Sequence, residues 1–125
     1  MDSWLDMSID ALRAASKLLE EGHYRSSTSR AYYSAYCVVT SALISGGAQF
    51  TRGWHNPRHE AVDGHLLSRG FLGHLHDRQR LDLRKSWLAL LASRVDADYR
   101  PTATVSRQQA RDALRDARVV LGYVS

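Results

Sequence analysis

The apolar positions of the chain recur at steps of three and four, the period of helices. From Tyr24 to Ile44 they do so on two faces at once. Tyr32, Ala35, Tyr36, Val39 and Leu43 form one stripe, and Tyr33, Cys37, Thr40 and Ile44 form a second beside it. A helix apolar on both stripes is covered on more than one side, which places this segment at the centre of a bundle. Gly46 and Gly47 stop it.

Either side of this helix the pattern sets out its neighbours. A first helix is expected over Ser3–Glu21, burying Leu5, Ile9, Leu12, Ala15 and Leu19 and leaving Asp10, Arg13, Lys17 and Glu20 outside. Asp2 and Asp6 suit the positive end of its dipole. Gly22 ends it, and the short turn at His23 makes the two helices antiparallel neighbours. Residues 46–77 are the least patterned and are expected to be the most mobile. GGAQFTRGW reads as loop, with Trp54 a candidate to fold back onto the core. Asn56 and Pro57 mark the start of a short helix over Arg58–Arg69 with a weak face of Ala61, Val62 and Leu66, interrupted by Gly64.

From Arg78 to Asp96 two stripes run side by side: Leu81, Leu88, Leu91 and Val95, then Leu83, Trp87 and Leu90. Arg94 continues the second. Beyond the break at Pro101, Ser106 and Gln109 form a capping-box start for a last helix. Its core face is Ala110, Leu114, Ala117, Leu121 and Val124. Arg107, Arg111, Arg115 and Arg118 line one flank near Asp112 and Asp116, most simply as a solvated face and alternatively as a phosphate track. The pattern predicts an all-α protein: one domain over residues 1–125, an up-and-down helical bundle of four main helices plus a short irregular helix.

Composition narrows the function classes. No apolar run approaches the ~20 residues that cross a bilayer, and the acidic MDSWLDMSID start is unlike a secretory signal. The lone Cys37 cannot form an internal disulfide, which fits a reducing cytoplasm. Of 17 basic residues 15 are arginine, and the formal net charge is +4. Residues 1–22 carry −3 of that balance, so the remainder carries +7. Arginine binds phosphate bidentately and stacks on bases, so a nucleic-acid partner is admitted.

Candidate chemistry is sparse. There is no Walker loop, Rossmann fingerprint, zinc-ligand series or nucleophile elbow. Five of six histidines fall at 55, 59, 65, 74 and 76, but no carboxylate or cysteine completes a metal pattern, and no metal is expected. Ser26, Ser27, Thr28 and Ser29 read as capping residues, with Arg30 either solvated beside them or converging with Ser29 and Tyr33 on a polar site. Arg94 reads either as one half of an i, i+4 ion pair with Asp98 or as a side chain facing a ligand.

SRAYYSAY, preceded by GHYRSS and followed by RVDADY, resembles the HEPN family (higher eukaryotes and prokaryotes nucleotide-binding), in particular its small stand-alone prokaryotic members with an R-x-x-A-D-Y motif. The resemblance spans about Ile9 to Tyr123. It implies a helical fold, a homodimer, no cofactor, and, in many members, a metal-independent endoribonuclease. There an arginine stabilises the phosphorane and a histidine four to six residues on moves the proton. Here the arginine is Arg94 and the fifth residue on is Tyr99. A phenol ionises near ~10 and an imidazole near ~6.5, so this departure leaves Asp98 or a histidine of the 55–76 segment to supply the proton chemistry.

The implied site is Arg94, Asp98 and Tyr99 as catalytic residues and Ser29, Arg30 and Tyr33 as substrate-binding ones. Two functions follow: the toxin ribonuclease of a pair with a minimal nucleotidyltransferase antitoxin, or a non-catalytic module binding nucleotide, RNA or a partner protein. A helix-turn-helix DNA binder is the weaker third, because no helix pair has the short turn and polar recognition helix.

Overall fold

The computed structural model describes residues 3–48, 57–68 and 70–125. Five helices pack against one another: α1 (Trp4–Glu20), α2 (Tyr24–Ser45), α3 (Val62–Leu67), α4 (Asp77–Tyr99) and α5 (Arg107–Val124). A single 3-10 turn, His59–Ala61, leads into α3. Among the described residues there is no strand, and no helix is long and apolar enough to cross a membrane. α2 is the central element, in contact with α1, α4 and α5, while α3 leans on α4. The expected Asn56 cap and the fold-back of Trp54 fall on residues that lie outside the described ones.

The seam between α1 and α2 is made of small residues. Ser8, Ala11 and Ala15 of α1 are buried against α2, which contributes Ser27, Ala31, Ser34 and Ala35. Small side chains let the two backbones approach closely, and hydroxyls then reach the opposite helix. Ser8 Oγ donates to the Ser34 carbonyl and Ser34 Oγ to the Ser8 carbonyl, both at 2.7 Å. Ser27 Oγ donates to the Ala15 carbonyl at 2.7 Å. The expected face of α1 is therefore rotated: Leu5 and Ile9 are each 39% exposed. Ser26 to Ser29 are likewise not caps. α2 begins at Tyr24 behind His23, which makes no side-chain cap. Gly22, at φ +83°, turns the chain so tightly that the serines fall within the first turns.

On α4 the inner stripe is Leu83, Trp87 and Leu90, all fully buried. The stripe of Leu81 and Leu88 faces out instead, at 63% and 38% exposure, because α2 and α5 cover the other side. His76 opens α4 with a capping box: its Nδ1 accepts from the Gln79 N–H, and the His76 N–H donates to Gln79 Oε1. Arg84 grips Asp63 of α3 through two bonds, of 2.8 and 3.1 Å. Arg80 donates to the carbonyls of Leu66, Ser68, Phe71 and Leu72, pinning the segment between α3 and α4. The weak face expected for α3 reduces to Val62 and Leu66, both fully buried. α5 buries Ala110, Leu114, Ala117 and Val124 as expected, with Ala113 and Val120 added. Its four flanking arginines are exposed.

Candidate functional site

α4 runs three residues beyond its expected end, so RVDADY forms its last turn and a half. An α-helix end leaves its final carbonyls without partners. Here Arg25, from the first turn of α2, supplies them. Its Nη1 donates to the Asp96 and Ala97 carbonyls at 2.8 and 2.6 Å and to that of Arg100 at 3.4 Å, and its Nη2 bonds the Ala103 carbonyl. Gln109 of α5 adds a bond from its side-chain amide to Asp96 Oδ2 at 3.3 Å. The Arg94–Tyr99 turn is thus fixed from two neighbouring helices.

Arg94 itself points back over α2. Its guanidinium carbon lies 4.9 Å from the centre of the Tyr32 ring and 5.1 Å from that of Tyr99. Nη2 donates to the Tyr99 hydroxyl at 2.8 Å. Nε lies 3.5 Å from Asp98 Oδ2, and the arginine side chain is only 18% exposed. The ion pair expected between Arg94 and Asp98 is present. A partly exposed pair of this type contributes only ~0.3–0.5 kcal/mol. The two aromatic faces are of comparable weight, at ~0.5–1 kcal/mol each.

Of the other expected site residues, Ser29 joins this group: its Oγ donates to Asp98 Oδ2 at 3.3 Å. Arg30 lies one step further along the surface. It borders, with Arg25, Ser26, Ser29, Ala97 and Asp98, an open groove of ≈ 550 Å³. Its guanidinium covers the Tyr33 ring at 4.8 Å. Tyr33 lines a second groove with Met7, Asp10, Ala11 and Arg30. Burial raises the Tyr33 phenol above its ordinary value, with the neighbouring Cys37 adding to the effect. Burial likewise pushes the Cys37 thiol up to about 11, which keeps it an inert thiol.

The chain matches the family model of the HEPN domain over residues 1–125, its whole length. The chain belongs to the HEPN family. No curated protein matches it.

Two residues packed beside the predicted ones carry no signal in the pattern of the chain. Arg25 is one, because its carbonyl partners lie more than seventy residues away. His59 is the other. The 3-10 turn sets its ring against α2, 4.4 Å from the Tyr36 ring and 5.5 Å from that of Tyr32. Its Nδ1 shares a hydrogen bond with the Tyr32 hydroxyl. The Tyr36 hydroxyl donates to the Pro57 carbonyl at 2.6 Å, tying the same turn down. Burial holds His59 below the ordinary imidazole value, the Arg94 charge pushes it the same way, and Glu60 partly opposes them. Burial also raises the Tyr32 phenol, against the pull of Arg94. Among the described residues, no three His, Cys, Asp or Glu side chains gather as metal ligands.

Proposed function

We propose that this HEPN protein is a metal-independent endoribonuclease, the toxin component of a pair whose antitoxin is a minimal nucleotidyltransferase. The observation that carries the reading is the placement of Arg94: a permanent cation, mostly enclosed by tyrosine rings, beside a groove bordered by Ser29 and Arg30. In this reading Arg30 and Ser29 hold a backbone phosphate, and Arg94 stabilises the charge that develops on the phosphorane. Asp98 and Tyr99 keep the guanidinium in orientation. The +4 balance favours RNA as the bound polymer.

The protein acts as a homodimer in this proposal. Leu81, Leu88, Ala92, Val95 and Tyr99 share one stripe on the outer side of α4, beside the site, and an isologous pairing would cover it.

A second reading is supported by the same contacts. Arg94, Asp98 and Tyr99 satisfy one another, as they would in a non-catalytic module that binds a nucleotide, RNA or a protein partner. Incubation of purified protein with RNA in the presence of a chelator separates the two. The ribonuclease reading expects cleavage that survives chelation and is lost in Arg94→Lys, since lysine keeps the charge but not the planar fork. Intact RNA with wild-type protein, bound or unbound, discards the ribonuclease reading.

A further inference from the structure

We infer that His59 is the proton-transfer residue of this site, taking the place of the histidine that the Arg94 motif lacks. The inference rests on the ribonuclease reading and names the group which that reading leaves unassigned.

The geometry is specific. Of the histidines among the described residues, His59 is the one whose ring contacts the Tyr32 and Tyr36 rings of α2. Tyr32 is also the ring beneath Arg94, so one side chain touches both the cation and the imidazole. The titratable and charged groups facing His59 are Tyr32 and Tyr36 from α2, Arg94 from α4 and Glu60 on its own turn. No carboxylate bonds its ring among the described residues, so nothing fixes it as an imidazolium.

Nδ1 is engaged by Tyr32, and Nε2 has no hydrogen-bond partner among the described residues. A hydroxyl accepts or donates by rotating. Tyr32 therefore serves the neutral ring with its proton on Nδ1, and serves the imidazolium equally. This is the base-and-orienter arrangement of acid–base sites, with a phenol as the orienting group. Burial and the Arg94 charge both favour the neutral ring, which is the form a base requires.

The step balances without a further reactant. Nε2 accepts the proton of the RNA 2′-hydroxyl as the 2′-oxygen bonds to the adjacent phosphorus. Arg94 stabilises the resulting phosphorane. The bond from phosphorus to the 5′-oxygen breaks, and the imidazolium returns its proton to that oxygen. The products are a 2′,3′-cyclic phosphate and a free 5′-hydroxyl.

The test is the pH dependence of single-turnover cleavage of an RNA oligonucleotide between pH 5 and 8. Wild-type protein is expected to lose rate with a one-proton slope below the ordinary imidazole value of ~6.5. His59→Ala is expected to lose ~10²–10⁴-fold in rate and the acid limb with it. Free imidazole in the buffer should restore part of that rate, which a merely structural histidine would not permit. His59→Gln, closer in shape, serves if the alanine variant does not fold. A wild-type profile flat from pH 5 to 7 overturns the inference without any variant. So does a folded His59→Gln protein with wild-type rate and profile while Arg94→Lys is inactive, an outcome that leaves the ribonuclease reading standing. Wild-type protein that cleaves no RNA overturns both.

Discussion

Arg25 and Arg94 meet at the same end of α4 and do opposite work there. Arg25 directs its donors at backbone carbonyls, so it behaves as part of the helix terminus. Arg94 directs its donors at side chains instead, one bond to the Tyr99 hydroxyl and an ion pair to Asp98, with its plane over the Tyr32 and Tyr99 rings. Hydrogen bonds involving a charged group contribute ~1.5–3 kcal/mol, and buried carbonyls left without a donor add to the loss. Arg25→Met should therefore lower unfolding stability by ~2–3 kcal/mol in a denaturant titration, while Arg94→Lys should change it by less than ~1 kcal/mol. Equal midpoints for Arg25→Met and wild type would refute the capping role. The sequence exposes Arg94 because it continues the stripe of Leu83, Trp87 and Leu90. It hides Arg25, whose partners are 71 to 78 residues distant, and no local pattern reports a contact of that range. His59 is hidden for a related reason. Five histidines crowd residues 55–76, and among the four described ones it is the packing of the 3-10 turn that singles out His59.

Elements were legible where period and punctuation agreed. Gly22, Gly46, Pro101 and Ser106 bracket the long helices within a few residues of their observed ends. Helix faces were less legible, and the reason differs between α1 and α4. On α1 the buried seam is small and partly polar, because the approach of α2 that lets Ser8 and Ser34 exchange bonds excludes large side chains. A hydrophobicity pattern cannot point to such a face. On α4 two apolar stripes compete, and only the positions of α2 and α5 choose between them. The choice is testable. Leu90→Ala should cost ~2–5 kcal/mol, the range for a buried leucine. Leu88→Asp should fold with wild-type helix content by circular dichroism, because its side chain already meets solvent. Substituting Ala15→Leu, by contrast, overpacks the α1–α2 seam and should cost ~1–3 kcal/mol. A neutral Ala15→Leu would mean that the two helices are not held at close range.

At the scale of the molecule, stability and association both follow from where groups are placed. His59 protonates less readily in the folded chain than in the unfolded one. The unfolded state therefore binds more protons below ~6.5, and folding stability should fall as pH drops from about 7 towards the lower folded value, then level off. Thermal melts from pH 7.5 to 5 should show that decline, and His59→Gln should flatten it. Wild-type and His59→Gln melts that decline in parallel would assign the effect elsewhere.

Association is the larger consequence. The stripe of Leu81, Leu88, Ala92, Val95 and Tyr99 runs along the outer side of α4, half-buried at Val95 and otherwise exposed among the described residues. Leu81, Leu88 and Val95 are spaced by seven, the interval that keeps a seam facing a partner helix. Two copies pairing antiparallel through this row would cross near its middle, between Leu88 and Ala92. Arg94 would then sit only ~6 Å along each helix from the two-fold axis, and the two sites would share one cleft. A species of about twice the 14.1 kDa chain mass is expected in sedimentation at micromolar concentration. Leu81→Asp combined with Leu88→Asp should return it to the single-chain mass with helix content unchanged, since neither position is in the core. Cleavage of RNA should fall with the dimer and recover as protein concentration is raised. A double variant that stays dimeric would move the interface off α4, and a wild type that sediments as one chain would remove it.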